Sequence, residues 1–361
     1  MRRALVNAAR GRATAAPNPC VGAVVLQGLE TISEGWHRRA GEPHAEVEAL
    51  AAAGEHARGA TLVVTLEPCA HHGRTPPCVD AIVASGIARV VAAHRDPDPR
   101  VDGGGFERLR AAGIEVDVGL LAEEATQLNL RWLAPRVLKR PAVTLKWAMS
   151  LDGRIASAAG ESRWISGVAA RRWALALREE HDAILVGVGT ILADDPRLDR
   201  RLGTAGGPIV RVVLDRRLRT PAGAQLFRIP GPVLVYTESD DTGSVARLEA
   251  AGAAVVRLGS VAPEAVLGDL HRRSIASLLV EGGQQVATAF FDAGLFDRVE
   301  VIAAPILLGG AAAKAPLAGA GAALAAAPRI GPLAARRVGG DVVLTGWSRA
   351  CLRELSRKLA G

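Results

Sequence analysis

Apolar positions in this chain fall into short continuous runs, separated by stretches in which they recur every three to four residues. Over the first 120 residues the pattern predicts helix at 4–9, strand at 21–26, helix at 44–53, a buried strand at 61–65, helix at 78–84 and strand at 89–93. Strands alternating with helices argue for an α/β layer fold. The pattern breaks at Pro135, Lys139-Arg140 and Pro141, which places a domain boundary there and divides the chain into 1–140 and 141–361. Beyond it a second α/β unit is expected, with strands at 143–147, 183–188, 209–214, 233–236, 277–281 and 298–303 and a helix at 169–180. No strand-led GxGxxG opens this half, so a Rossmann dinucleotide domain is not supported. The Ala/Gly-rich tract at 309–327 reads as a surface connection.

Composition narrows the picture. The 361 residues suffice for two domains with separate cores, and with only 3% aromatic residues those cores must be built from Ala, Val, Leu and Ile. The formal charge of +7 comes almost wholly from arginine and suits phosphorylated small molecules as well as nucleic acid. Four cysteines in so long a chain do not form a disulfide framework, which fits a reducing cytoplasm. The N-terminus lacks the apolar core of a signal peptide, and no apolar stretch reaches the roughly 18 residues of a membrane span.

Candidate chemistry concentrates in three places of the first half. His44-Ala45-Glu46, Pro68-Cys69 and Cys78 together offer one imidazole and two thiolates, three zinc ligands that leave a tetrahedral position open for water. Glu46 adds a carboxylate suited to moving protons, the arrangement of zinc nucleobase deaminases. Residues two apart face different ways on a regular helix, so His44 and Glu46 can share a cavity only at a helix start, and Pro43 favours one there. Pro76-Pro77 likewise put Cys78 in a first helical turn, where the positive end of the helix favours a thiolate. Eight residues separate the two cysteines, and this loop carries His71, His72 and Arg74, side chains suited to an anion. Cys20 is expected to be a small buried thiol rather than a further ligand. In the second half Lys146 interrupts an apolar strand, and Glu281 ends another just before Gly282-Gly283. Such charges are costly unless paired or facing a cleft, and a glycine pair opening a helix suits close approach of phosphate.

At this point the sequence resembles a known family. Pro17-Asn18-Pro19, the run from Gly41 to Glu46 and the run from Thr65 to Cys78 look like the bifunctional deaminase/reductase of riboflavin biosynthesis. The likeness continues through Ser150-Leu151-Asp152-Gly153-Arg154, Leu192-Ala193-Asp194-Asp195-Pro196 and Val280-Glu281-Gly282-Gly283, and so covers both halves. It implies a cytidine-deaminase-like three-layer domain followed by a dihydrofolate-reductase-like domain. It implies Zn²⁺ in the first and NADPH in the second. By the same resemblance Asn18, His37, His71 and Arg74 contact the pyrimidine and its ribose phosphate, and Lys146 and Glu281 stand at the ribose. Ser162, Arg178, Leu198 and Arg201 match further substrate contacts, and Ala148, Trp164, Thr190, Asp194 and the segment from Gly283 match NADPH contacts. The implied work is hydrolytic deamination of 2,5-diamino-6-(5-phospho-ribosylamino)pyrimidin-4-one, then reduction of its ribosyl group to ribityl.

The expected partner is therefore a small phosphorylated pyrimidine, with no nucleic acid and no membrane, and the chain is open to assembly as a homo-oligomer. Two other readings are weighed against this one. A nucleic-acid-editing zinc deaminase with an accessory domain would share the zinc core, but usually with shorter cysteine spacing and stacking aromatics; five Phe and one Tyr argue against it. A non-catalytic regulatory relative would be expected to have lost a ligand or Glu46, and none is lost.

Overall fold

The computed structural model describes residues 1–71, 76–98, 101, 103–203 and 207–359. Two compact units emerge, Met1–Leu138 together with Leu352–Gly361, and Lys139–Cys351.

The first unit is built on a five-stranded sheet. Its strands are β1 (Gly22–Gln27), β2 (Glu30–Trp36), β3 (Thr61–Val64), β4 (Arg89–Ala92) and β5 (Glu115–Val118), in the order β2-β1-β3-β4-β5. β1 runs antiparallel to β2 and β3, whereas β3, β4 and β5 are mutually parallel. The apolar run of β1 is covered on both sides. Val24 packs with Ala4 of the helix Arg2–Ala9, and alternate residues Ala23 and Val25 lie buried on the opposite face, where the helix Ala45–Ala53 approaches. Gly35 explains that approach: a Cβ there would sit 2.3 Å from the Ala45 carbonyl oxygen, so only glycine lets the helix start this close to β2. Helix, sheet and helix form the expected three layers. Sequence periodicity did not register β2, because its Thr31, Ser33 and Glu34 dilute the apolar signal that burial gives β1.

The second unit carries a nine-stranded sheet. Its strands are β6 (Ala142–Ser150), β7 (Ala183–Gly187), β8 (Val210–Leu214), β9 (Val233–Thr237), β10 (Ala254–Arg257), β11 (Ser277–Val280), β12 (Arg298–Ala304), β13 (Ala334–Val338) and β14 (Asp341–Trp347). The order β10-β9-β8-β7-β11-β6-β12-β14-β13 puts β6 and β11 at the centre, with pairing parallel everywhere except around β14. Continuous apolar strands are what a parallel sheet covered on both faces demands. One face buries Val143, Leu145, Leu185, Leu278 and Val280 with Phe290 and Leu267; alternate residues Ile184, Val186, Val213 and Val235 form a separate cluster.

The last helix, Arg349–Leu359, packs from Leu352 onward with the first unit, although it follows the second in sequence. Its buried Leu352, Leu355 and Leu359 belong to the first unit, where the Leu359 carbonyl accepts from the Arg95 N–H at 3.4 Å and Lys358 Nζ donates to the Val137 carbonyl at 3.5 Å. An apolar stripe announces a buried helix face but not which core it will cover. No helix of the described residues is long and apolar enough to cross a membrane.

Candidate active site

In the first unit two helix starts converge. His44 is the N-cap of the helix Ala45–Ala53, and Glu46 lies in its first turn, so both side chains reach the same space. Cys78 begins the helix Cys78–Ser85, capped by Pro77. Cys69 follows β3 on the segment that returns toward it, and its sulfur accepts from the Cys78 backbone N–H at 3.3 Å. His44 Nδ1 lies 3.1 Å from Cys78 Sγ and 3.6 Å from Cys69 Sγ. Donors sharing one tetrahedral zinc at its usual bond lengths stand roughly 3.5 Å apart, and the three donor atoms here all lie within 4.8 Å of one another, so they fit a zinc ion. The Cys69 thiol is pulled down to about 4, first by its hydrogen bond from Cys78, so it offers a thiolate. Among the described residues these three alone form such a donor group, and Cys20 is not in it. Cys20 instead holds its place through its backbone, which exchanges two hydrogen bonds with the Asn129 side chain.

Glu46 is 3% exposed, and burial raises its carboxyl to about 7, against the opposing pull of His44. A carboxylate near neutrality can both take and return a proton. The surrounding cavity of about 360 Å³ is lined by Asn18, His37, His71, Glu67, Asp96 and Trp132, among others. Asn18 Nδ2 lies 3.0 Å from His37 Nε2, and the other ring nitrogen of His37 is 3.2 Å from the Pro43 carbonyl, which fixes the ring beside His44. His71 Nδ1 is buried with no hydrogen-bond partner among the described residues. Arg74 lies outside the described residues. Sequence reasoning missed Asp96, whose carboxyl burial raises to about 7, along with Trp132 and Arg136 at the cavity wall. Asp96-Pro97-Asp98-Pro99 reads simply as a turn, and nothing local marks a helix 40 residues further on as a cavity wall.

In the second unit the paired registers of β6 and β11 bring Lys146 and Glu281 side by side, since Leu145 aligns with Val280. Lys146 Nζ lies 3.7 Å from Glu281 Oε2. Arg178, on the helix Val168–Glu179, donates through Nε and Nη2 to both carboxylate oxygens at 2.9 and 3.1 Å. Burial alone would raise the Glu281 carboxyl, but Arg178 and then Lys146 outweigh it and hold it at about 2. Arg178 Nη1 also donates to the Asp199 carbonyl at 3.3 Å, and the Asp199 carboxylate accepts from Arg201 Nε at 2.7 Å. Arg201 is thus tied to the same group. Leu198 has its side chain in the core, 2% exposed, so what it can offer a ligand is backbone.

The expected cofactor residues lie along neighbouring elements. Ala148 shares the Lys146 face of β6 and packs toward Ala170 and Ala174. Gly283 caps the helix Gln284–Asp292, and a Cβ on it would come no nearer than 3.9 Å to Thr190 Oγ1, so the two are neighbours with room beside them. The open N–H groups of that helix start suit a phosphate. The Asp194 carboxylate pairs with Arg163 Nε at 3.1 Å, next in sequence to half-buried Ser162 and to Trp164. Trp164 is 67% exposed, with the Arg171 guanidinium 4.4 Å above its ring. An open aromatic face and a helix start are what a dinucleotide would use, and these residues fit one.

Comparison with known proteins agrees with this division. Residues 1–94 match the cytidine and deoxycytidylate deaminase zinc-binding region, and residues 141–344 match the RibD C-terminal domain. The riboflavin biosynthesis protein RibD of Aquifex aeolicus is 44% identical over 310 residues, covering 86% of this chain and 87% of that protein. RibD of Escherichia coli is 42% identical over 356 residues, covering 95% and 97%. Among solved structures, Acinetobacter baumannii RibD matches with a TM-score of 0.79 at 38% identity, covering 96% of this chain and 97% of that one. A Thermotoga maritima diaminohydroxyphosphoribosylaminopyrimidine deaminase/5-amino-6-(5-phosphoribosylamino)uracil reductase matches with a TM-score of 0.77 at 36% identity and the same coverage. With relatives this similar over nearly the whole chain, and with a deaminase half and a reductase half in the same order, the chain belongs to the RibD family of riboflavin biosynthesis enzymes.

Proposed function

We propose that this bifunctional deaminase and reductase performs its two reactions at the two sites described, the deamination within 1–140 and the reduction within 141–361. The observation that carries the reading is the convergence of His44, Cys69 and Cys78 beside a buried Glu46. Bound zinc activates water for attack on the ring carbon bearing the amino group, and NADPH supplies the reducing equivalent for the second step. His44, Cys69 and Cys78 hold the metal. Glu46 takes one proton from the water and delivers it to the ring nitrogen, then carries the second, from the hydroxyl now on the ring carbon, to the leaving amine, which departs as ammonia. Asn18, His37, His71 and Arg74 hold the pyrimidine and its ribose phosphate.

In the second reaction Lys146 and Glu281 orient the ribosyl group, whose ring-opened imine accepts a hydride equivalent at carbon and a solvent proton at nitrogen. Arg178, Arg201, Ser162 and the Leu198 backbone complete the substrate side. Ala148, Trp164, Thr190, Asp194 and Gly283 hold NADPH. The substrate is a small phosphorylated pyrimidine, and we assign the enzyme to the cytoplasm, with no role for nucleic acid or a membrane; the chain is open to assembly as a homo-oligomer. A Glu46→Gln variant tests the division of labour. It is expected to release ammonia from the aminated substrate at least roughly 10²-fold more slowly, yet to oxidise NADPH normally when given the deaminated intermediate; comparable loss of both reactions in a folded variant would overturn the two-site reading.

A further inference from the structure

The segment between Leu66 and Cys69 contains a second carboxylate that the two reactions leave unused. Glu67 is 3% exposed and accepts four backbone hydrogen bonds. Oε2 accepts from the N–H groups of Asp96 at 3.1 Å and Gly103 at 3.0 Å, while Oε1 accepts from Gly105 at 2.9 Å and Phe106 at 3.2 Å. A buried carboxylate is tolerated only when its lone pairs are satisfied, and amide donors to a charged acceptor are among the stronger hydrogen bonds. The four amides come from two separate places, the strand exit at Asp96 and the start of the helix Gly104–Ala111, whose positive end also favours the charge. The contact is close on the main-chain side too: a Cβ on Gly105 would lie 2.1 Å from the Pro68 carbonyl oxygen.

These bonds join the Pro68-Cys69 segment to one wall of the deaminase cavity, because Glu67, Cys69, Asp96, Asp98 and Val101 all line it. We propose that Glu67 is a positioning residue for deamination: its carboxylate fixes the Asp96 and Gly103–Phe106 backbone against the Cys69 segment, and thereby sets the shape of the pyrimidine pocket. It touches neither metal nor reacting atoms. Its effect falls on how well the substrate is held, more than on proton transfer by Glu46. An amide cannot reproduce the arrangement, since the –NH₂ of glutamine would face two N–H donors where the carboxylate has an acceptor oxygen.

The inference rests on the deaminase reading of this cavity, so the wild-type enzyme is assayed alongside; a wild type that releases no ammonia refutes that reading and not this one. In Glu67→Gln the KM for the aminated pyrimidine should rise at least roughly tenfold, the scale of one strong hydrogen bond lost. Zinc content and NADPH-dependent reduction of the deaminated intermediate should stay at wild-type levels, and hydrogen exchange of the Gly103–Phe106 amides should accelerate. Glu67→Asp, which keeps the charge on a shorter arm, should recover part of the KM. An unchanged KM in Glu67→Gln overturns the proposal, and so does a fall in kcat that tracks zinc loss at constant KM, which would make Glu67 a support for Cys69 alone. If Glu67→Gln does not fold, Gly105→Ala strains the same contact from the other side, and an unchanged KM there overturns the proposal equally.

Discussion

Arg178 grips both carboxylate oxygens of Glu281, at 2.9 and 3.1 Å, while Lys146 approaches one of them at 3.7 Å. The two cations are therefore unequal partners: Arg178 satisfies the buried carboxylate, and Lys146 keeps donor capacity for a ligand. Removing Arg178 should leave a buried charge half compensated. Arg178→Met is expected to destabilise the second unit by about 3–5 kcal/mol, the range seen when one partner of a buried ion pair is deleted, as read by denaturant unfolding.

Lys146→Met should behave differently. The Arg178–Glu281 fork survives, so stability should change little while reduction of the deaminated intermediate falls at least roughly tenfold, the scale of one lost charge-assisted contact. Ammonia release should be unaffected. Normal reduction by a folded Lys146→Met enzyme would remove Lys146 from the reductive site.

The low-lying Glu281 carboxyl carries a pH dependence. Its folded value of about 2 lies below the ordinary 4.5, so ionised Glu281 stabilises the fold fully above pH 4.5, and that contribution is lost as pH falls toward 2. Acid unfolding of the second unit, followed by exchange of the Ser277–Val280 amides, should steepen through this window. In Glu281→Gln the steepening should disappear.

Zinc and proton transfer should separate cleanly. Glu46→Gln is expected to keep one zinc per chain, because Glu46 is not among the converging donors, while deamination drops by at least roughly 10²-fold. Cys69→Ala should lose the metal by elemental analysis. A chelator should abolish ammonia release and leave reduction intact, since zinc serves the deaminase half; parallel loss of both activities would mean that the metal supports the second unit as well.

Much of the deaminase site was legible because its donors sit at positions with a chain signature. Pro43 before His44 and Pro77 before Cys78 announce helix starts, and both helices begin there. Lys146 and Glu281 stood out because charges interrupt strands that otherwise read as buried, although nothing in their spacing of 135 positions revealed that Arg178 would join them. Glu67 escaped notice for the opposite reason. Its partners are backbone amides, which have no residue identity to read. The edge strand β13, with Ala334, Ala335, Arg336 and Arg337 exposed, carries no apolar alternation either, and is a strand because β14 supplies its hydrogen bonds.

The order of the two reactions is the most direct test of the whole account. With zinc-loaded enzyme and the aminated pyrimidine substrate, ammonia release should proceed without NADPH. On adding NADPH, its oxidation should follow and reach one equivalent per ammonia released. NADPH oxidation that begins before any ammonia appears, or ammonia release that requires NADPH, would contradict two sites acting in sequence on one intermediate.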